Sequence, residues 1–276
     1  MTGLVDHRRS VTSTQDVLRT LARAPHLTTI RADVQTQGRG RLGRTWESGA
    51  GRSLLASTLV VLPAVPALRE RGGFLTLIGA LSMRAAFADF GAPAKVKFPN
   101  DVVIRGRKIC GVLGEFYADM SAARGELSAA IGVGANVFQE GDELFEGATS
   151  LAAEGLLPAE DLRPDDADPA GILLDRYLAE LAARVEAFAA DPNAPATAPI
   201  IAELNVHLAQ RGQQVSVAGR TGVVDEIGPH GELILTAATA PASTSVPASS
   251  ARPEVATPAR IRVYPHEVAM FAEHNC

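Results

Sequence analysis

The stretch Lys95-Val96-Lys97-Phe98-Pro99-Asn100-Asp101-Val102-Val103-Ile104-Arg105-Gly106-Arg107-Lys108-Ile109-Cys110-Gly111-Val112-Leu113 decides how this chain folds. Residues 95–98 alternate until Pro99, which has no N–H for a ladder and ends the strand. Val102-Val103-Ile104 is apolar and β-branched, Arg105-Gly106-Arg107 supplies a turn, and residues 109–113 return as a second strand, so a hairpin is predicted. On that hairpin Lys108 opens the second strand and projects toward the Asn100-Asp101 corner, with Gly111 leaving room beside it. An Asn-Asp pair on a tight turn offers an amide and a carboxylate to a hard cation or a sugar hydroxyl. The same pair can equally satisfy its own backbone as an Asx-turn. The lysine across the hairpin favours a site.

Lysine is scarce everywhere else. Of the 26 basic residues only Lys95, Lys97 and Lys108 are lysines, which suggests positions where a compact ammonium is needed. Upstream, Gln37-Gly38-Arg39-Gly40-Arg41-Leu42-Gly43-Arg44 concentrates three glycines and three arginines, a composition that opposes helix and strand and predicts a mobile loop. The single tryptophan, Trp46, follows directly. Glycine lets backbone N–H groups approach an anion and arginine forks grip phosphate oxygens, so a phosphate-gripping lid that orders over its ligand is favoured. An electrostatic grip on nucleic acid is the alternative, but such segments are longer and repetitive.

The surrounding chain supplies a scaffold. Ser13-Thr14 followed by Asp16, Leu18 and Leu21 predicts a capped helix of about three turns. Strands are expected at residues 28–35 and 53–62, a helix at 73–90, and a strand at 126–133 closing in Gly132-Val133-Gly134-Ala135-Asn136. Residues 168–190 place Ile172, Leu173, Tyr177, Leu181, Val185 and Phe188 at helical spacing, and residues 199–210 predict a further helix. From residue 213 the chain changes to short alternating strands with turns at Gly219-Arg220 and Gly228-Pro229-His230-Gly231, which suggests a small β-barrel. Residues 237–259 are Ala/Ser/Thr/Pro low complexity and interrupt that unit before a last strand at 260–264.

Composition removes several function classes. The 276 residues carry a net charge of −5, which argues against a generic nucleic-acid or membrane-surface binder. With 46% hydrophobic and 21% charged residues the chain buries a sizeable core. Two cysteines, Cys110 and Cys276, are too few for a disulfide scaffold, and a cytoplasmic location is expected. No run approaches the roughly 18 apolar residues of a membrane span, and the N-terminus lacks the apolar core of a signal peptide.

Five segments together resemble the biotin protein ligases. They are Ser13-Thr14-Gln15, the run from Gln35 through Gly38, Arg39, Arg41 and Arg44 to Trp46, Lys97-Phe98-Pro99-Asn100-Asp101, Gly106-Arg107-Lys108-Ile109-Cys110-Gly111-Val112-Leu113-Gly114-Glu115, and Gly132-Val133-Gly134-Ala135-Asn136. All occur in the family's order. The resemblance implies an α+β fold in which a central mixed β-sheet with flanking helices, of the class II synthetase-like kind, is followed by a small SH3-like β-barrel. It places the catalytic domain at residues 1–209 and the small domain at 210–276.

It also implies a two-step reaction. Biotin's carboxylate attacks the α-phosphate of ATP, with Mg²⁺, to give biotinyl-5′-adenylate and pyrophosphate. A lysine of a biotin carboxyl carrier domain of an acyl-CoA carboxylase then takes the biotinyl group. Carried over by position, Arg41 and Lys108 are the catalytic cations. Ser13, Thr14, Gln15, Gln35, Gly38, Arg39, Lys108 and Gly111 match the biotin pocket. Arg41, Arg44, Trp46, Asn100 and Asn136 match the nucleotide side, and Asp101 the metal side. Gln15, Gln37 and Phe98 depart from the family's usual residues. About a dozen residues precede the first motif, so a monofunctional ligase that binds no DNA and no membrane is expected. The rival enzyme is a lipoate protein ligase, whose Gly-Gly-Gly and His-Asp features are not found here. The rival of another class is a nucleic-acid-binding module built on the Arg/Gly loop.

Overall fold

The computed structural model describes residues 3–21, 24–117, 125–157, 168–191, 197–237 and 259–268. Seven strands form the main sheet: β1 (Val5–Val11), β2 (Thr29–Gln35), β3 (Ser53–Pro63), β4 (Ala94–Lys97), β5 (Asp101–Ile104), β6 (Arg107–Tyr117) and β7 (Glu126–Asn136). Their order is β1-β2-β3-β7-β6-β5-β4. Only β1 and β2 run parallel; the other neighbours are antiparallel, so the sheet is mixed as expected.

Because side chains alternate along a strand, each face of this sheet has its own cargo. One face of β3 and β7 presents Leu54, Ala56, Val60, Leu62, Ala129, Ile131, Val133 and Ala135 to the main core. That core is closed by two helices, α3 (Phe74–Ala88) and α4 (Pro169–Ala190), with Phe74 and Phe188 in ring contact at 5.4 Å. A short helix, α2 (Pro66–Glu70), leads into α3. The opposite face is covered in part by α1 (Thr14–Thr20), whose Leu18 packs with Ile30, Leu59, Tyr117 and Ala130. The rest of that face is the ground on which the candidate site stands.

After α5 (Ala198–Val206) the chain enters a second sheet of β8 (Gln214–Val217), β9 (Arg220–Ile227), β10 (Leu233–Ala237) and β11 (Arg260–Val263). It is antiparallel, in the order β11-β10-β9-β8, consistent with the small SH3-like unit. A last short helix, α6 (Pro265–Val268), follows it. Residues 238–258 of the low-complexity insert, and Cys276, lie outside the described residues. The insert's flanks are joined, with the Ala237 N–H donating to the Ala259 carbonyl at 2.9 Å.

Several expectations need correction. Strand β1 was not foreseen, because Val-Asp-His-Arg-Arg-Ser-Val has no apolar alternation; it is an edge strand whose side chains are mostly exposed. Helix α1 spans seven residues rather than three turns, for Leu21 leaves the helical region at φ −91°, ψ 60°. The second strand of the hairpin runs from Arg107 to Tyr117, well past residue 113, because β7 pairs with it along its length. Likewise β7 continues through the glycines to Asn136, since β3 pairs with it there.

Candidate active site

The glycines of β6 and β7 build a bare strip on the α1 face of the sheet. Gly111 and Gly134 are cross-strand partners, as are Leu113 and Gly132. The Trp46 indole lies flat against this strip: a Cβ on Gly134 would come within 2.5 Å of the ring and one on Gly111 within 3.1 Å. Glycine is required here for close approach rather than for a turn. The indole Nε1 is buried without a hydrogen-bond partner.

The hairpin delivers Lys108 to the same place. Its Nζ stands 2.8 Å from Asp101 Oδ1 and 5.7 Å from the centroid of the Trp46 ring. A Cβ on Gly111 would lie 3.2 Å from that Nζ, so the ammonium rests directly on the glycine. This is the juxtaposition the sequence predicted. The hairpin turn itself is buckled by Glu154, which accepts from Arg105 and Arg107 at 2.7 Å each and from Thr149 at 2.8 Å.

Arginine 41 comes from the lid. Its guanidinium donates to Asn100 Oδ1 at 3.0 Å and to the Pro265 carbonyl at 2.8 Å, while Asn100 donates in turn to the Val112 carbonyl at 3.0 Å. Burial lowers the Arg41 pKa, and nearby Asp101 opposes that shift. The loop expected to be mobile is folded on its own bonds. Arg39 and Thr45 bridge, Gly40 N–H donates to the Arg44 carbonyl at 2.7 Å, and Trp46 N–H to the Gly38 carbonyl at 3.0 Å. A one-turn 3-10 helix, Arg41–Gly43, sits at its tip, contrary to the expectation of neither helix nor strand; Leu42 takes the left-handed φ of 65°. Beneath the loop is a cleft of about 660 Å³ lined by residues 36–45 with Asp16, Leu113 and Glu115.

A second group of polar residues sits where α1 meets the strip. Thr14 is buried, donating through N–H and hydroxyl to Gln35 Oε1 at 2.7 and 3.0 Å and touching the Ser57 hydroxyl at 2.7 Å. Ser13 Oγ and Gln15 Oε1 are buried without partners. Gln15 Nε2 donates to Glu115 at 3.1 Å, and Arg39 bonds Asp16 at 3.0 Å and Glu115 at 3.4 Å. Burial, and then Glu115, raise the pKa of the neighbouring Tyr117 phenol to about 12, which keeps it a hydrogen-bond donor to the Gln15 carbonyl.

Two clusters thus stand side by side, Ser13, Thr14, Gln15 and Gln35 near α1, and Arg41, Trp46, Asn100, Asp101, Lys108 and Gly111 over the hairpin. The Asn136 amide donates to the Thr149 carbonyl at 3.0 Å and accepts from Gln139 at 3.1 Å, which ties the end of β7 to the following turn. Arg44 takes part through its backbone in the lid's closure. Sequence reasoning gave no role to Glu115, Ser57 or Glu154. Glu115 was findable, since Gly111, Leu113 and Glu115 share one face of a strand. Cys110, on the opposite face, is no nucleophile: burial drives its thiol pKa far up. Among the described residues no three His, Cys, Asp or Glu side chains gather to hold a metal, and no helix is long and apolar enough to cross a membrane.

Residues 8–136 match the Biotin/lipoate A/B protein ligase family. The bifunctional ligase/repressor BirA of Bacillus spizizenii is 38% identical over 149 residues, covering 51% of this chain and 44% of the relative. The biotin acetyl-CoA-carboxylase ligase of Mycobacterium tuberculosis is 34% identical over 158 residues, covering 56% and 52%. The matched region therefore spans about half the length of these relatives. Among solved structures, the biotin protein ligase of Aquifex aeolicus in complex with biotin and ATP superposes with a TM-score of 0.65 at 25% identity, over 84% of this chain and 91% of that one.

Proposed function

Taking as premise that the chain carries a domain of the biotin/lipoate A/B protein ligase family, we propose that it is an ATP-dependent ligase that activates biotin as biotinyl-5′-adenylate and passes the biotinyl group to a lysine of a carboxylase carrier domain. One observation carries this reading. Lys108 lies on the glycine strip between Asp101 and Trp46, with Arg41 of the lid bound to Asn100 at the same corner. A carboxylate attacking a phosphate is already ionised near neutral pH and needs no general base. What it needs is neutralisation of two facing anions, and two cations from different elements supply that. Lys108 gives a compact charge on a rigid strand; Arg41 gives a fork on the lid.

The remaining roles follow by place. The cluster at α1 binds biotin's ureido ring, with Ser13, Thr14, Gln15 and Gln35 as its polar groups and Gly38 and Arg39 closing the lid over the chain. Trp46 and Asn100 receive the nucleotide, together with Arg44 and Asn136, while Lys108 and Gly111 also belong to the biotin side. Mg²⁺ carried by ATP would find a hard oxygen donor in the Asp101 carboxylate and would supply charge neutralisation at the phosphates. The lid excludes water and stray amines from the mixed anhydride until the carrier lysine enters. The carrier belongs to an acyl-CoA carboxylase, and the compartment is the cytoplasm. Biotin-dependent exchange of pyrophosphate into ATP, with lipoate giving none, is the expected result. Exchange with lipoate alone would move the chain to the lipoate branch, and exchange with neither would end the adenylation reading.

A further inference from the structure

Glu115 is partly buried and is assigned no part in the reaction above. It faces the cleft on the same side of β6 as Gly111 and Leu113, and its carboxylate accepts from Gln15 Nε2 at 3.1 Å. The Leu113 carbonyl stands 3.5 Å from the same nitrogen. Both partners can only accept, so the orientation of the Gln15 carboxamide follows from chemistry: its NH₂ must face β6 and its oxygen must face away. That oxygen is buried and has no partner, in a residue only 3% exposed that rests on Gly132. Two residues earlier Ser13 Oγ is also buried and unpartnered. A buried amide oxygen left unpaired is costly, so the position calls for an incoming donor.

Resting on the biotin reading above, we propose that Glu115 is a positioning residue that locks Gln15 with its oxygen toward the ligand, so that the pocket selects a ring bearing an N–H donor at that point. Arg39 holds Glu115 from the other side at 3.4 Å, and Asp16 shares that arginine at 3.0 Å, which keeps the carboxylate in place. A cyclic urea satisfies Gln15. A ring with oxygen in place of that N–H sets two acceptors face to face and is rejected.

The test is calorimetric binding to the full-length protein of biotin and of the two cyclic carbamates in which one or other ureido N–H is replaced by oxygen. The wild-type chain is expected to bind one carbamate about 100-fold more weakly than biotin, the order that one buried acceptor left unpaired produces. In Glu115→Gln the facing amide pairs with Gln15 in either orientation, so biotin weakens by about tenfold and the discrimination falls below about tenfold. Gln15→Met, which removes the oxygen altogether, should show the same collapse. Loss of a merely structural contact, or of Arg39's partner, would weaken all ligands alike and leave the ratio unchanged. An unchanged ratio in both variants therefore overturns the proposal while leaving biotin binding intact. Absence of biotin binding to the wild-type chain would overturn both this proposal and the function it rests on.

Discussion

Replacing Lys108 by arginine keeps the charge and should still disable adenylation. The ammonium is seated in a confined place: 2.8 Å from Asp101, resting on Gly111, where a Cβ would approach it to 3.2 Å, and 5.7 Å from the centroid of the indole ring. A guanidinium is planar and wider, and its donors form a fixed fork. It can satisfy Asp101, but only by displacing its centre by about 1 Å from the point where one ammonium meets both the attacking carboxylate and the α-phosphate, and a misplacement of that size costs about 100-fold in rate. At 1.36 kcal/mol per tenfold, the barrier rises by about 2.7 kcal/mol. The assay is single-turnover formation of biotinyl-adenylate at saturating biotin and ATP, which separates chemistry from carrier binding. A rate within about threefold of wild type, well short of the 100-fold loss, would refute the argument that a compact cation is required.

Other perturbations test separate parts of the site. Arg41→Gly removes the lid's bonds to Asn100 and the Pro265 carbonyl, so reactive adenylate should escape and label lysines of a bystander protein several-fold more than wild type does; equal labelling would show that Arg41 does not retain the intermediate. Gly134→Ala forces a methyl to within 2.5 Å of the Trp46 ring and should raise the KM for ATP more than that for biotin, as initial-rate measurements would show. Replacing residues 238–258 by a two-residue Asn-Gly turn should leave adenylate synthesis nearly unchanged, because the flanking Ala237 and Ala259 are already hydrogen-bonded and shortening a loop alters closure entropy by only about 0.6 kcal/mol per halving. A collapse of pyrophosphate exchange in that variant would give the segment a role in the site.

The hairpin was legible because its signals are local. Pro99, the Arg105-Gly106-Arg107 turn and the β-branched run fix which residues face each other, and so Lys108 meeting Asp101 could be read from spacing. Strand β1 was not legible: it has an exposed polar pattern, and only the parallel pairing of residues 5–11 with β2 makes it a strand. The seat of Trp46 was hidden for another reason. It depends on Gly111 and Gly134 being cross-strand partners, a register set by the whole length of β6 and β7 rather than by any short motif. Asn136 was legible only as part of a glycine-rich motif; that its amide also bonds Thr149 and Gln139 depends on the turn after β7, which no spacing shows. For Glu115 the alternation along β6 gave the face it shares with Gly111, but not its partner, since Gln15 is brought across from α1.

The most direct test of the account is the intact mass of a purified biotin carrier domain incubated with this protein, biotin and Mg-ATP. The account predicts a gain of one biotinyl group on the acceptor lysine, dependent on ATP and absent when lipoate replaces biotin. A carrier whose mass does not change, under conditions in which a known biotin ligase modifies it fully, would contradict the assignment.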